Sequence, residues 1–171
     1  DLYNKMILTS GKIDIDGEEQ ESYEFNGGSK IEYDVEKKQF YNSDSGQNDG
    51  GFFPLDRLDS EKHTNNHNYH FGMKVSGSFV YKKGSKQFFN FNGDDDVYIF
   101  INGKLVVDLG GAHYATDGNI DIEKFAQENG IKNGEICELN MFYLERHTQA
   151  SNCRIQTNLR LGYLTGYEFE S

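Results

Sequence analysis

"YIFINGKLVV", residues 98 to 107, is the strongest local signal in the chain. Apolar residues alternate on either side of Asn102-Gly103, and that dipeptide suits a two-residue type I′ turn because both central residues need positive φ. The stretch predicts an antiparallel hairpin with Ile101 opposite Lys104, Phe100 opposite Leu105, Ile99 opposite Val106, Tyr98 opposite Val107 and Val97 opposite Asp108. That register brings Asp108 back to the hairpin end where Asp94, Asp95 and Asp96 follow one another. Carboxylates crowded in this way raise one another's pKa values or recruit a cation. Hard oxygen donors, no thiolate and the "LGGAH" bend beside them point to Ca²⁺ rather than Zn²⁺.

Working outward, Tyr69, Phe71, Met73 and Val75 alternate, Gly77 interrupts, and Phe79 and Tyr81 resume. "SKQFFNFNG" places Phe89 and Phe91 on one face. Period-two apolar runs separated by polar turns predict strands of a sandwich or barrel. "DIEKFAQENG" is the one helical stretch: Asp121 caps it, Ile122, Phe125 and Ala126 share a stripe, and Asn129-Gly130 stops it. Residues 1 to 40 hold two further strands, in "KMILTSGKIDIDG" and "KIEYDVEKKQFY". The "DIDG" there is not an EF-hand, since counting from Asp14 puts Glu19 where the sharp turn needs Gly.

Residues 42 to 68 are rich in Gly, Asp, Asn and Ser without any sustained period, which predicts a long surface loop. Within it "GFFPLD" is an apolar plug expected to tack the loop to the core. His63, His67 and His70 suggest a metal site only weakly, because the intervening Asn residues disfavour helix.

Composition agrees with an all-β domain. Thirteen Phe, eleven Tyr and nineteen Gly with a single Pro suit short strands and tight turns. At 171 residues the chain fits one domain with a real core. Acidic residues outnumber basic ones 28 to 17 and the pI is near 4.8, which argues against nucleic acid or an anionic membrane surface as partner. No apolar run approaches the roughly 20 residues of a membrane helix. No signal pattern follows Asp1, so the chain reads as a mature or excised fragment; Asn-x-Ser/Thr sequons are absent too. Cys137 and Cys153 are expected to be free: if "CELNMFYL" pairs with "SNCRIQTNLRL" around "ERHTQA", their five-residue offset exceeds the roughly 7 Å Cα limit of a disulfide.

The "ERHTQASN" connection, 145 to 152, carries Glu145, Arg146, His147, Gln149, Ser151 and Asn152, and loops on a rigid scaffold are where binding groups concentrate. Glu145 and Arg146 also suggest an ion pair that holds the loop.

"NNHNYHF", "FNFNGDDDVYIFINGKLVVDLGGAH" and "FYLERHTQASNCRIQTNL" resemble the fibro-slime domain, a branch of the PA14-like β-sandwich group, over about residues 50 to 160. The resemblance implies a PA14-like antiparallel β-sandwich or barrel with one or two short helices, in a secreted or cell-surface protein. It also implies adhesion. In lectin-like members of the wider group, two adjacent aspartates joined by a cis peptide hold Ca²⁺ and sugar hydroxyls complete its shell. Those aspartates would fall on Asp94-Asp95 or Asp95-Asp96, with an Asn ligand matched by Asn152 or a neighbour. No Trp is present to serve as a sugar platform, a role left to Tyr69, Tyr98, Tyr114 or Tyr143.

The expected function is therefore a calcium-dependent carbohydrate-binding or adhesion module. Asp94, Asp95, Asp96 and Asp108 would serve the ion; His113, Glu145, Arg146, His147 and Asn152 would serve a polysaccharide or glycan. The alternative is a structural or protein-interaction module of a surface or matrix protein, in which calcium only rigidifies loops. A hydrolase is not expected, because aspartates held ionised by a cation are unsuited to general-acid work and no Gly-x-Ser-x-Gly, His-Glu-x-x-His or Walker pattern occurs.

Overall fold

Asn102 and Gly103 both take positive φ, 49° and 75°, so the turn is built as its composition predicts. It is also fastened from outside: Asn102 Oδ1 accepts from the Glu138 N–H at 2.8 Å, and the Asn102 N–H donates to the Glu138 carbonyl at 2.9 Å. The computed structural model describes residues 9–26, 31–34, 39–42, 52–53, 67–113, 115–146 and 151–162.

Eleven strands and one helix make up the described elements: β1 Thr9–Ile15, β2 Glu18–Asn26, β3 Ile31–Asp34, β4 Gln39–Asn42, β5 Phe71–Val80, β6 Phe88–Gly93, β7 Asp96–Ile101, β8 Lys104–Leu109, β9 Thr116–Asp121, α1 Ile122–Asn129, β10 Ile136–Glu145 and β11 Cys153–Thr157. A five-stranded sheet, β1-β2-β11-β6-β9, and a four-stranded sheet, β5-β10-β7-β8, are both antiparallel, and β3 and β4 form a separate pair. The core is shared by the two larger sheets. Phe25, Phe89, Phe91, Ile120 and Ile155 come from one, and Phe71, Phe79, Ile99, Ile101, Leu139, Met141 and Tyr143 from the other. This is the all-β sandwich expected, and burying each such side chain contributes roughly 1.5–3 kcal/mol.

The hairpin register departs from the expected one after two pairs. Phe100 faces Leu105, but Ile99 faces Val107, Tyr98 faces Asp108 and Val97 faces Leu109. Val106 is the extra residue of a β-bulge. A one-residue shift exchanges the faces of everything beyond it, so Val107 turns into the core and Asp108 turns out to solvent.

Gly77 does not interrupt β5, which runs through it as one strand of ten residues. In the N-terminal part, β1 and β2 form a hairpin across Asp16-Gly17, both at positive φ (53° and 83°). The two strands expected in residues 1 to 40 are thus four. The helix matches expectation, capped by Asp121 Oδ1 accepting from the Lys124 N–H at 3.0 Å and closed by Gly130 at φ 68°. No helix among the described residues is long and apolar enough to cross a membrane.

The strands on either side of residues 145 to 152 do not pair with each other. β10 lies between β5 and β7, while β11 lies between β2 and β6, so the connection passes from one sheet to the other. The expected Cys register therefore fails, yet both cysteines are free and buried. Burial raises both thiols above the ordinary value. Native protein is expected to leave an aromatic disulfide reagent unreacted and to release two thiol equivalents on denaturation; fast labelling of the native state would contradict this.

Phe52 is the plug predicted for the loop of 42 to 68. It is fully buried and meets Phe25, Phe71 and Tyr143 edge-on, with ring centroids 5.6 to 5.8 Å apart. The Phe52 N–H donates to the Ser151 carbonyl at 2.6 Å, and the Ser151 hydroxyl donates to the Phe52 carbonyl at 2.7 Å. His67 stacks on Phe53 at 3.9 Å and His70 is exposed; His63 lies outside the described residues.

Candidate functional site at the loop end of the sandwich

The turn from β6 to β7 begins at Gly93, where the backbone leaves no room for a side chain. A Cβ there would clash with the Asn152 carbonyl oxygen and sit 2.5 Å from Phe91 Cζ. Close approach of this kind is a usual reason for Gly inside a strand. Asp95 then makes the turn at φ 60°, in the left-handed region that Asp tolerates better than most residues. No peptide bond among the described residues is cis, so the turn rests on Asp95 rather than on the cis Asp-Asp bond that the resemblance implied.

The three aspartates are all buried, at 5, 2 and 8% exposure, and each reaches a different partner. Asp94 accepts from the Asn152 N–H and, at 3.0 Å, from the Asn152 side-chain amide. Asp95 accepts from the Arg146 N–H at 2.9 Å. Asp96 accepts from the Gly111 N–H and pairs bidentately with the Arg146 guanidinium, at 2.7 Å to Nε and 3.1 Å to Nη2. The three carboxylates therefore join the 110–113 bend, the end of β10 and the start of β11. Arg146 is the positive group among them.

Period-two alternation sends Glu145 inward and Arg146 outward, so the expected Glu145–Arg146 pair gives way to Arg146–Asp96. Glu145 is 2% exposed and accepts from the Tyr143 hydroxyl at 3.0 Å. That hydroxyl also lies 3.3 Å from Ser151 Oγ. Burial, with the Glu145 and Asp94 charges adding to it, drives the Tyr143 phenol far above its ordinary range, so it stays a donor. His113 is half-buried, with Nε2 3.2 Å from the Leu109 carbonyl.

Of the residues expected at the site, the fold thus gathers Asp94, Asp95, Asp96, His113, Glu145, Arg146 and Asn152 at one end. Asp108 stands on the outer face opposite Tyr98, and His147 lies outside the described residues. Gly93 and Gly111 were missed as parts of this cluster, although a Gly closing a strand pattern is a signal for close backbone approach; Tyr143, expected as an alternative sugar platform, is fully buried with its hydroxyl bonded inside the cluster. Among the described residues, no three His, Cys, Asp or Glu side chains are grouped to hold a metal by themselves. Asp94, Asp95 and Asn152 nevertheless offer hard oxygens of the kind Ca²⁺ takes, and its shell of six to eight ligands accepts backbone, amide and water oxygens as well.

Burial alone would raise the Asp96 carboxyl, but the Gly111 N–H and the Arg146 guanidinium outweigh it and hold it below the ordinary 3.8. A carboxyl lowered by folding stabilises fully above its unfolded value, and that contribution is lost as pH falls through the folded one. Asp96→Asn is therefore expected to flatten the acid limb of the stability profile below about pH 4, measured by melting temperature. An unchanged acid limb would contradict the role given to this pair.

A family model described as the PA14 domain matches residues 16–169. Protein psiH of Dictyostelium discoideum is 44% identical over 140 residues, covering 77% of this chain and 18% of psiH. Protein psiE of the same organism is 40% identical over 118 residues, covering 63% of this chain and 22% of psiE. The chain spans about a fifth of the length of these relatives. Among solved structures, a GH31 alpha-xylosidase from Xanthomonas citri aligns with 88% of this chain and 24% of its own at TM-score 0.40 and 9% identity, too distant to carry an argument. With the two-sheet sandwich, the family match over most of its length and these relatives, this chain belongs to the PA14 domain family.

Proposed function

We propose that the chain is a non-catalytic, calcium-dependent carbohydrate-binding or adhesion module of an extracellular or cell-surface protein, working at the 94–96, 110–113 and 145–152 end. The observation that supports this reading is charge. Three consecutive buried carboxylates, Asp94, Asp95 and Asp96, lie at one turn, and among the described residues Arg146 is the one guanidinium paired with them. One guanidinium and the N–H donors leave the three carboxylates a net negative charge in a buried place, which a cation joining them would offset. Asp94 and Asp95, with Asn152 from a loop 58 residues away, are the oxygen donors proposed for the ion. Bound calcium would supply a Lewis-acidic point on which sugar hydroxyls sit, with His113 and the polar 145–152 loop orienting the sugar.

A second reading rests on the hydrogen bonds. Each of the three aspartates already fastens a loop, which is what a structural module of a matrix protein would require. A glycan array with and without chelator separates the two. Chelator-sensitive binding supports the lectin-like reading; silence in both conditions, with calcium still raising the melting temperature, supports the structural one.

A further inference from the structure

The outer face of the five-stranded sheet carries a feature separate from the loop end. β6 turns Phe89 and Phe91 inward and Phe88 and Asn90 outward, and β9 turns Ile120 inward and Asn119 outward. Asn90 is directly opposite Asn119 on one side and Gln156 on the other. Three side-chain amides thus form a row across β9, β6 and β11, at the roughly 4.8 Å spacing of neighbouring strands. Neighbouring polar groups on this face do have partners, Asn92 with Asp117 at 2.7 Å and Arg154 with Glu24 at 2.9 Å. The three amides of the row make no side-chain hydrogen bond with any described residue.

Apolar surface lies beside this row. The β1–β2 hairpin curls over the same face, tied down by Lys86 Nζ to Asp16 Oδ2 at 2.8 Å and by the Asn158 amide to Gln20 Oε1 at 2.8 Å. It brings Ile13 and Ile15, both half-buried, to the far side of an open groove of about 560 Å³ that Phe88, Asn90 and Asn119 also line.

We propose that this groove is a second carbohydrate site, independent of calcium, for a neutral oligosaccharide. One sugar ring lies with its C–H face on Phe88, and its hydroxyls exchange hydrogen bonds with the Asn90 and Asn119 amides. An amide suits a hydroxyl because it offers two donors and an acceptor in one plane. A polypeptide adding as a strand pairs at a sheet edge, here β1 or β9, whereas the amide row lies on the face of the sheet, centred on β6 with β11 and β9 on either side. An anionic glycan is disfavoured by Asp121 and Glu123 on the lining, by the formal net charge of −11 and by the commitment of the Lys86 charge to Asp16.

The test uses ¹⁵N-labelled protein in EDTA, titrated with cellohexaose, laminarihexaose and mannohexaose, with side-chain amide shifts as readout. Saturable shifts at Asn90 and Asn119 with at least one probe are expected. Phe88→Ala is expected to weaken that binding roughly tenfold. The double variant Asn90→Ala, Asn119→Ala should abolish it, read from the backbone amides of β6 and β9, while the remaining spectrum is unchanged, which shows that the fold survives. No shift at these amides with any probe overturns the proposal. Shifts that appear only with calcium and only around residues 94 to 96 also overturn it, while leaving the loop-end site standing.

Discussion

Phe52→Ala is expected to lower the unfolding free energy by about 3–5 kcal/mol, the cost of emptying a fully buried aromatic site that cannot collapse. For a domain of this size that is a fall of about 10 °C in melting temperature. The reason lies in what Phe52 joins. Its ring touches Phe25 of one sheet and Phe71 and Tyr143 of the other, so it holds the two sheets together at the end where the candidate site is. Its backbone is bonded to Ser151 in both directions. The variant should therefore loosen the 151–152 segment as well as the core, and faster amide exchange at the start of β11 should accompany the lower melting temperature. A change within 2 °C would show that the neighbouring rings can close over the gap. Phe52→Leu, which keeps most of the apolar volume, is expected to recover a large part of the loss.

Asp94→Ala is expected to act on stability and on binding together. It removes the acceptor of two donors, the Asn152 N–H and the Asn152 side-chain amide. Donors left unsatisfied in a buried place cost roughly 1–3 kcal/mol each. Both donors lie beside Cys153 and the start of β11, a strand paired on both edges, so the loss falls on a central element of the five-stranded sheet. On the proposed function the same variant loses one of the two carboxylates given to the ion, and its melting temperature should no longer respond to calcium. Asp108→Ala is the control. Asp108 is exposed on the outer face, where among the described residues it accepts one hydrogen bond, from the Gly110 N–H at 3.3 Å. It should leave both melting temperature and calcium response near the parent values. An Asp94→Ala protein as stable as the parent would mean that the carboxylate fastens nothing.

What the sequence made legible divides along local and non-local lines. The Asn102-Gly103 turn, the capped helix and the inward faces of β5, β6 and β10 follow from residues close together in the chain. The bulge at Val106 does not. It depends on which residue of β8 meets β9, and there Gly118 leaves just enough room for Val107, since a Cβ at Gly118 would sit 2.8 Å from Val107 Cγ1. The consequence for Asp108 is complete, because one inserted residue carries it from the carboxylate end of the hairpin to solvent. The β1–β2 hairpin was legible in principle from Asp16-Gly17, but the polar run "EEQES" that opens β2 lacks the apolar alternation that marks a strand. Sheet membership of β10 and β11 was not legible, because nothing in "ERHTQA" distinguishes a hairpin loop from a crossover between sheets.

At the candidate site the residue types were readable and their partners were not. Consecutive residues of a strand point to opposite faces, so Glu145 and Arg146 could not serve one another in β10, and the guanidinium was left to Asp96. That pairing answers part of the electrostatic problem posed by three adjacent aspartates. Backbone N–H groups of three separate segments take up a further part, and the net negative charge that remains is what calcium is proposed to offset. Asp94 meets Asn152 through hydrogen bonds, and the turn between the aspartates is made by the positive φ of Asp95 rather than by a cis bond.

On the proposed function the loop-end carboxylates hold calcium. Isothermal titration of calcium chloride into chelator-treated protein tests it most directly. One saturable site is expected, with a dissociation constant of roughly 10⁻⁴ to 10⁻³ M as in extracellular calcium modules, abolished by Asp94→Ala and by Asp95→Asn and kept by Asp108→Ala. A flat titration of the parent protein through several times that range, about 5 mM, would contradict it. So would a site that survives loss of both Asp94 and Asp95.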